Sequence, residues 1–289
     1  AFLRQSMQPS VRFPSSPGPV GIFDSGYGGL TILDSIRRRL PEYDYVYLGD
    51  NARAPYGQRS FDLVFDFTRQ AVEELFMRGC HLVILACNTA SAKALRSIQQ
   101  EVLPQLDPDR RVLGVIRPTV ERLGTLSQTR HVGVLATQGT VASGSYGMEI
   151  GKLYGNAMHV SEMAAPMWVP LIENGEAGGD GADYFVRKYV DGLMAMDPEI
   201  DTLILGCTHY PILLPKICRY APGNVNVMPQ GGIVADSLAE YLDRHPEMAA
   251  KCTRGGGVRF ITTENPERFD SLATGFVGMP VRSEHVSLR

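Results

Sequence analysis

Long apolar runs are missing from this chain. The most hydrophobic stretches, at 82–87 and 202–207, fall far short of the roughly 20 residues a membrane-spanning helix needs, so no membrane partner is expected. No sign of charge dominates: 28 basic against 31 acidic residues leave a net charge of −3, without blocks of like charge. With a pI of about 6.1 there is none of the basic excess of a nucleic-acid binder, so nucleic acid is not expected as a partner. Cysteine is scarce and odd in number. The five thiols (Cys80, Cys87, Cys207, Cys218, Cys252) contain no Cys-x-x-Cys pair, which excludes a disulfide framework and fits the reduced thiols of a cytoplasmic protein. What is present is an ordinary globular balance, 44% hydrophobic and 20% charged, over 289 residues. At about 150 residues per domain that is enough for two domains, each with its own core.

Residues 1–19 lack a sustained apolar core and are rich in Pro and Ser, so they read as a disordered arm, with a leader ahead of Met7, and not as a secretory signal. From Val20 onward, short apolar runs alternate with helix-like patterns. Strands buried on both faces are expected at 20–23, 43–48, 82–86, 112–116, 132–136 and 203–205, and helices at 29–39, 60–78, 91–102 and 183–196. This alternation predicts an α/β fold of parallel sheets flanked by helices. Two internal echoes point to duplication: LVILACNTA at 82–90 resembles TLILGCTHY at 202–210, and VGIFDSGYG at 20–28 resembles VGVLATQGT at 132–140. Two similar lobes follow, and because parallel sheets bind ligands at the carboxyl ends of their strands, the cleft between the lobes is the expected site.

Cys87 and Cys207 stand in matching contexts, each after an apolar strand and a small residue. Hydrogen-bonding residues follow each of them, Asn88 and Thr89 in one case and Thr208 and His209 in the other. A cysteine at a strand end ahead of a helix lies near backbone N–H groups that favour a thiolate, although a single free cysteine usually just packs. Two thiols across a cleft could exchange a disulfide, bind zinc together with His209, or act as acid and base on opposite faces of one carbon; the last suits duplicated lobes best. In GIFDSGYGG at 21–29, Asp24 and Ser25 open a Gly-rich turn that matches no nucleotide-binding pattern. It serves either as a tight strand-to-helix turn or as a carboxylate-binding or catalytic element. GDNARAPYG at 49–57 places Pro55, Tyr56 and Gly57 on a loop after a strand, and ATQGT at 136–140 offers the hydroxyls of Thr137 and Thr140, either for a ligand or as a helix cap. Glu173 falls near a helix end, where an exposed glutamate is the ordinary reading. Trp168, Cys80, Cys218 and Cys252 are read as packing or surface residues.

Taken in order, FDSGYGGLT, GDNARAPYG, ACNTASA, GVIRPT, GVLATQGT, VPLIENGE, LILGCTHYP and FITTENPERFDSLATGFVG resemble the bacterial glutamate racemases, across nearly the whole chain after residue 20. The resemblance implies cofactor-independent interconversion of L- and D-glutamate for peptidoglycan by a cytoplasmic homodimer. It assigns Cys87 to the α-proton of D-glutamate and Cys207 to the L face. Asp24 and His209 would assist these two thiols respectively, and Glu173 would be a further assisting carboxylate. Ser25, Pro55, Tyr56, Gly57, Asn88, Thr89, Thr137, Thr140 and Thr208, together with Asp24 and His209, would hold the substrate. It also implies two lobes, the first from 20–111 plus 225–289 and the second from 112–224. Arg117 and Met163-Ala164-Ala165-Pro166 depart from the family pattern, away from the acid/base pair. A relative acting on aspartate and an amino-acid receptor are the alternatives, the latter having no use for two thiols.

Overall fold

Runs of Val, Ile and Leu with no polar alternation can be satisfied only when both faces of a strand are covered. The central strands β1 (Val20–Asp24), β2 (Tyr45–Gly49) and β3 (Leu82–Leu85) are accordingly buried at every position in the computed structural model, which describes residues 13–289. With β4 (Arg111–Gly114), and with β9 (Val258–Thr262) and β10 (Ser283–His285) from the C-terminal segment, they form one sheet in the order β10-β9-β2-β1-β3-β4. A second sheet takes β5 (His131–Ala136), β6 (His159–Ala164), β7 (Thr202–Gly206) and β8 (Asn226–Met228) in the order β6-β5-β7-β8. Every pairing in both sheets is parallel.

The order β2-β1-β3-β4 in one sheet repeats as β6-β5-β7-β8 in the other. The echoed segments are therefore the central pairs, β1 with β3 and β5 with β7, and β9 and β10 extend only the first sheet. Helices cover both faces of each. Gly29–Arg39 and Gly231–Arg244 pack with Pro266–Val277 on one side of the first sheet, and Phe61–Met77 covers the other. In the second sheet Asp180–Met196 lies on one face, with Ile116–Leu126 and Ser145–Tyr154 on the other. Trp168, fully buried, packs edge-on against Tyr210 in the core of the second sheet.

The boundaries expected between lobes shift by one strand in each direction. β4 pairs with β3, Leu82 opposite Arg111 and Leu85 opposite Gly114, so 112–114 belong to the first sheet. β8 pairs with β7, so 226–228 belong to the second. The reason is the same at both places: an edge strand must finish its ladder before the chain can cross over. The strand expected at 112–116 also ends early, since Ile116 opens a helix. As to the expected arm, residues 1–12 lie outside the described residues, but 13–19 are packed on the first sheet. Phe13 meets Phe76 with ring centroids 5.5 Å apart, Gly18 exchanges backbone hydrogen bonds with Lys251 and Thr253, and the buried Arg110 donates to the carbonyl of Pro14. Prolines lack an N–H yet keep a carbonyl, so a Pro-rich segment can dock by accepting.

Candidate active site

The carboxyl ends of β1 and β3 in one sheet and of β5 and β7 in the other meet around a narrow cavity of about 60 Å³. Twelve of the residues expected at the site line it: Ser25, Pro55, Tyr56, Gly57, Cys87, Asn88, Thr89, Thr137, Glu173, Cys207, Thr208 and His209. Asp24 and Thr140 do not, each being buried just behind the wall.

Glycines let the two halves close on each other here. A Cβ on Gly28 would stand 2.3 Å from Thr208 Oγ1 and 2.5 Å from His209 Nδ1, and one on Gly57 would stand 2.9 Å from Thr137 Cβ. The Gly-rich turn after β1 is thus a contact surface for the 208–209 segment, which explains its composition without a bound anion.

Cys87 caps the helix Asn88–Lys93, its Sγ accepting from Ala90 N at 3.4 Å and lying 3.4 Å from Ser25 Oγ. Burial, reinforced by the charge of Asp24, pushes the thiol up to about 12, against the pull of the Ser25 and Ala90 bonds. Cys87 is therefore a neutral thiol at neutral pH. Asp24 itself is shifted upward, chiefly by desolvation. Its carboxylate accepts from Gly26 N at 2.9 Å and from Thr208 Oγ1 at 3.4 Å. Thr208 ties it to the Cys207 side, while Ser25 and Ala90 are the hydrogen-bonding neighbours of Cys87 among the described residues.

Cys207 sits 3.9 Å from His209 Nδ1, and His209 Nε2 lies 3.0 Å from Glu173 Oε1 at the end of the helix Trp168–Glu173. Burial opposes the charged imidazole, but the bonds to Cys207 and Glu173 outweigh it and raise His209 to about 10. A protonated ring thus stands between the Cys207 sulfur and a carboxylate. The two sulfurs have unlike surroundings, one a neutral thiol beside a hydroxyl and the other in contact with an imidazolium.

The hydroxyls of Thr89, Thr137 and Thr140 form a cluster, with Thr137 Oγ1 2.9 Å from Thr89 Oγ1 and 3.0 Å from Thr140 Oγ1. Thr140 supports Thr137 from behind and does not reach the cavity. The Tyr56 hydroxyl is likewise spent on the buried Asp50, which also accepts from Arg53 Nε at 2.7 Å, so Tyr56 offers the cavity its ring and backbone. Gly26, Ala54, Gln58, Gln138, Ala165, Pro166, Val169, Pro170 and Tyr210 complete the wall. The small and apolar ones among them carried no signal because such side chains look alike wherever they are. Ala165 and Pro166 belong to the segment that departs from the family pattern. The other departure, Arg117, lines a separate cavity of about 460 Å³ and pairs with Glu121 at 2.9 Å. A three-ligand zinc site of Cys87, Cys207 and His209 does not form: among the described residues, the side chains close enough for one are His131, Asp197 and Glu199, which lie at the start of β5 and beyond Asp180–Met196.

Two like parallel sheets facing each other across a cavity, each contributing one thiol, place the protein in a recognisable class. The chain belongs to the Asp/Glu/hydantoin racemase family, whose profile, Asp/Glu/Hydantoin racemase, matches residues 30–229. Within that family its similarity is to the glutamate racemases. It is 42% identical to the glutamate racemase of Ruegeria sp. over 275 residues, covering 92% of this chain and 98% of that one. A glutamate racemase isoform from Bacillus anthracis superposes with a TM-score of 0.85 at 30% identity, over 94% of this chain and 98% of that one. The glutamate racemase of Francisella tularensis, solved in complex with D-glutamate, gives a TM-score of 0.82, also at 30% identity and the same coverage.

Proposed function

We propose that the protein interconverts L- and D-glutamate by a two-thiol proton transfer at the α-carbon, with no cofactor taking part. The observation that carries this is the meeting of Cys87 and Cys207 at one cavity in unlike protonation environments. Starting from L-glutamate, Cys207 as thiolate takes the α-proton, with His209 and Glu173 holding the positive charge beside it. The resulting planar carbanion takes a proton from the Cys87 thiol on the other face, and D-glutamate leaves. The enzyme then holds a thiol at Cys207 and a thiolate at Cys87. That form takes the α-proton from D-glutamate, or returns to the first form when Asp24 and His209 help the proton across. A burial-raised Asp24 can hold that proton in transit.

The hydroxyls of Ser25, Thr89, Thr137 and Thr208, the amide of Asn88 and the backbone at Pro55–Tyr56–Gly57 anchor the carboxylates and ammonium. Binding both ends of the substrate fixes the α-carbon between the sulfurs, which is where the rate advantage arises. D-glutamate made in this way would feed peptidoglycan, from a cytoplasmic homodimer. The test is circular dichroism of L-glutamate with purified protein and no added cofactor. Decay of the signal to zero supports the reading. A stable signal with glutamate but decay with aspartate assigns the chemistry to the other substrate, and binding without decay with either favours a receptor.

A further inference from the structure

Resting on the function proposed above, we infer that Thr119, Gln230 and Tyr146 are positioning residues that fix the Asn88 amide so that an N–H, not its carbonyl, is available to a substrate carboxylate beside Cys87. The backbone carbonyl of Val115 can only accept, and Thr119 Oγ1 gives it its single proton at 2.8 Å. Thr119 must then accept from Gln230, whose Nε2 lies 2.9 Å away. This sets the amide: the other Nε2 proton goes to the Tyr146 oxygen at 2.7 Å, and Gln230 Oε1 is left to accept from Asn88 Nδ2 at 2.6 Å. Tyr146 in turn donates to Asn88 Oδ1 at 2.7 Å, closing a ring of Asn88, Gln230 and Tyr146 whose direction is set by the second Gln230 N–H, held by Thr119.

All four side chains are at most 2% exposed, so water cannot reset the polarity. Thr119 on Ile116–Leu126 and Tyr146 on Ser145–Tyr154 belong to the second-sheet half, and Gln230 stands at the crossover between β8 and Gly231–Arg244. Asn88 belongs to the first, and among the four only Asn88 lines the cavity. The ring uses one of its two N–H groups and its carbonyl, leaving one N–H. Reversed, the same amide would put an oxygen toward an anionic substrate.

Thr119→Val keeps the shape and removes the hydroxyl that dictates the polarity, Thr119→Ser restores the hydroxyl, and Tyr146→Phe opens the ring. Binding is read by calorimetry with racemic glutamate, whose composition turnover cannot change, and KM and kcat are read by circular dichroism. The expected result is about a tenfold or greater rise in Kd and KM for Thr119→Val and Tyr146→Phe, with a smaller loss in kcat, and recovery of affinity in Thr119→Ser. Folded Thr119→Val and Tyr146→Phe proteins that bind as the wild type does would overturn the inference, as would a Thr119→Ser protein as weak as Thr119→Val. Wild-type protein that binds glutamate without turnover strikes the proposed function alone, since the binding series still reads the ring.

Discussion

Glu173→Gln should release the His209 proton at lower pH and carry the alkaline limit of activity down with it. In the intact site the ring stays charged to about 10, held there against its burial by Cys207 and by the carboxylate 3.0 Å from Nε2. An opposing charge in direct contact typically moves a pKa by about 1 to 3 units, and each unit is worth about 1.4 kcal/mol. Neutralising Glu173 should therefore bring His209 to between about 7 and 9. Because the folded value lies above the unfolded one, the charged ring adds stability that is complete below about 6.5 and is lost as pH rises toward 10. In Glu173→Gln that loss should still begin near 6.5 but finish at lower pH, and the total should be smaller. The ring can be followed directly by proton–nitrogen correlation spectra, since the chain has only six histidines. An unmoved His209 titration in a folded Glu173→Gln protein would refute the assignment of Glu173 as the group that holds the imidazolium.

Three further outcomes follow from other contacts. Gly28→Ala puts a methyl 2.3 Å from Thr208 Oγ1 and 2.5 Å from His209 Nδ1, so thermal unfolding should show about 1–3 kcal/mol of destabilisation and turnover should drop sharply; unchanged turnover would mean that the 208–209 segment need not be held so closely. Asp24→Asn should lower the rate at saturating D-glutamate more than at saturating L-glutamate, measured by circular dichroism from either enantiomer, and equal losses would count against Asp24 as the carrier of the Cys87 proton. Arg110→Met strips hydrogen bonds from the carbonyls of Cys80 and Pro14, and should cost about 2–3 kcal/mol in urea unfolding and speed proteolysis near residue 14; a stability change under 0.5 kcal/mol would show that the 13–19 segment docks without it.

Much of this was legible in the sequence for a physical reason. Strands buried on both faces leave continuous apolar runs, so β1, β3, β5 and β7 stood out, and the two cysteines with them. Apart from β4, the edge strands were hidden by the same logic. β6 is half-buried and mixes polar with apolar residues, and β10, Ser-Glu-His, is polar and mostly exposed, so both pass for loops. The paired motifs pointed to the wall of the cavity because the same small-Cys-polar ending follows an apolar strand twice, at 82–90 and 202–210. Nothing in the chain near Asn88 announced Gln230 or Thr119, whose roles exist only once β8 and the helix after β4 are folded against the other half. Nor did the sequence announce that the Tyr56 hydroxyl is held by the buried Asp50, which leaves the ring and backbone of Tyr56 to the cavity.

The central claim is that two thiols work on opposite faces of one carbon, and single-thiol variants test it most directly. With Cys87→Ala and Cys207→Ala proteins in heavy water, proton NMR follows loss of the α-proton while circular dichroism follows inversion. The account predicts that Cys87→Ala exchanges the α-proton of L-glutamate and Cys207→Ala that of D-glutamate, each without inversion, because the remaining thiol can return a deuteron only to the face it took from. Either variant racemising at a rate near that of the wild type, or exchanging both enantiomers equally, would contradict it.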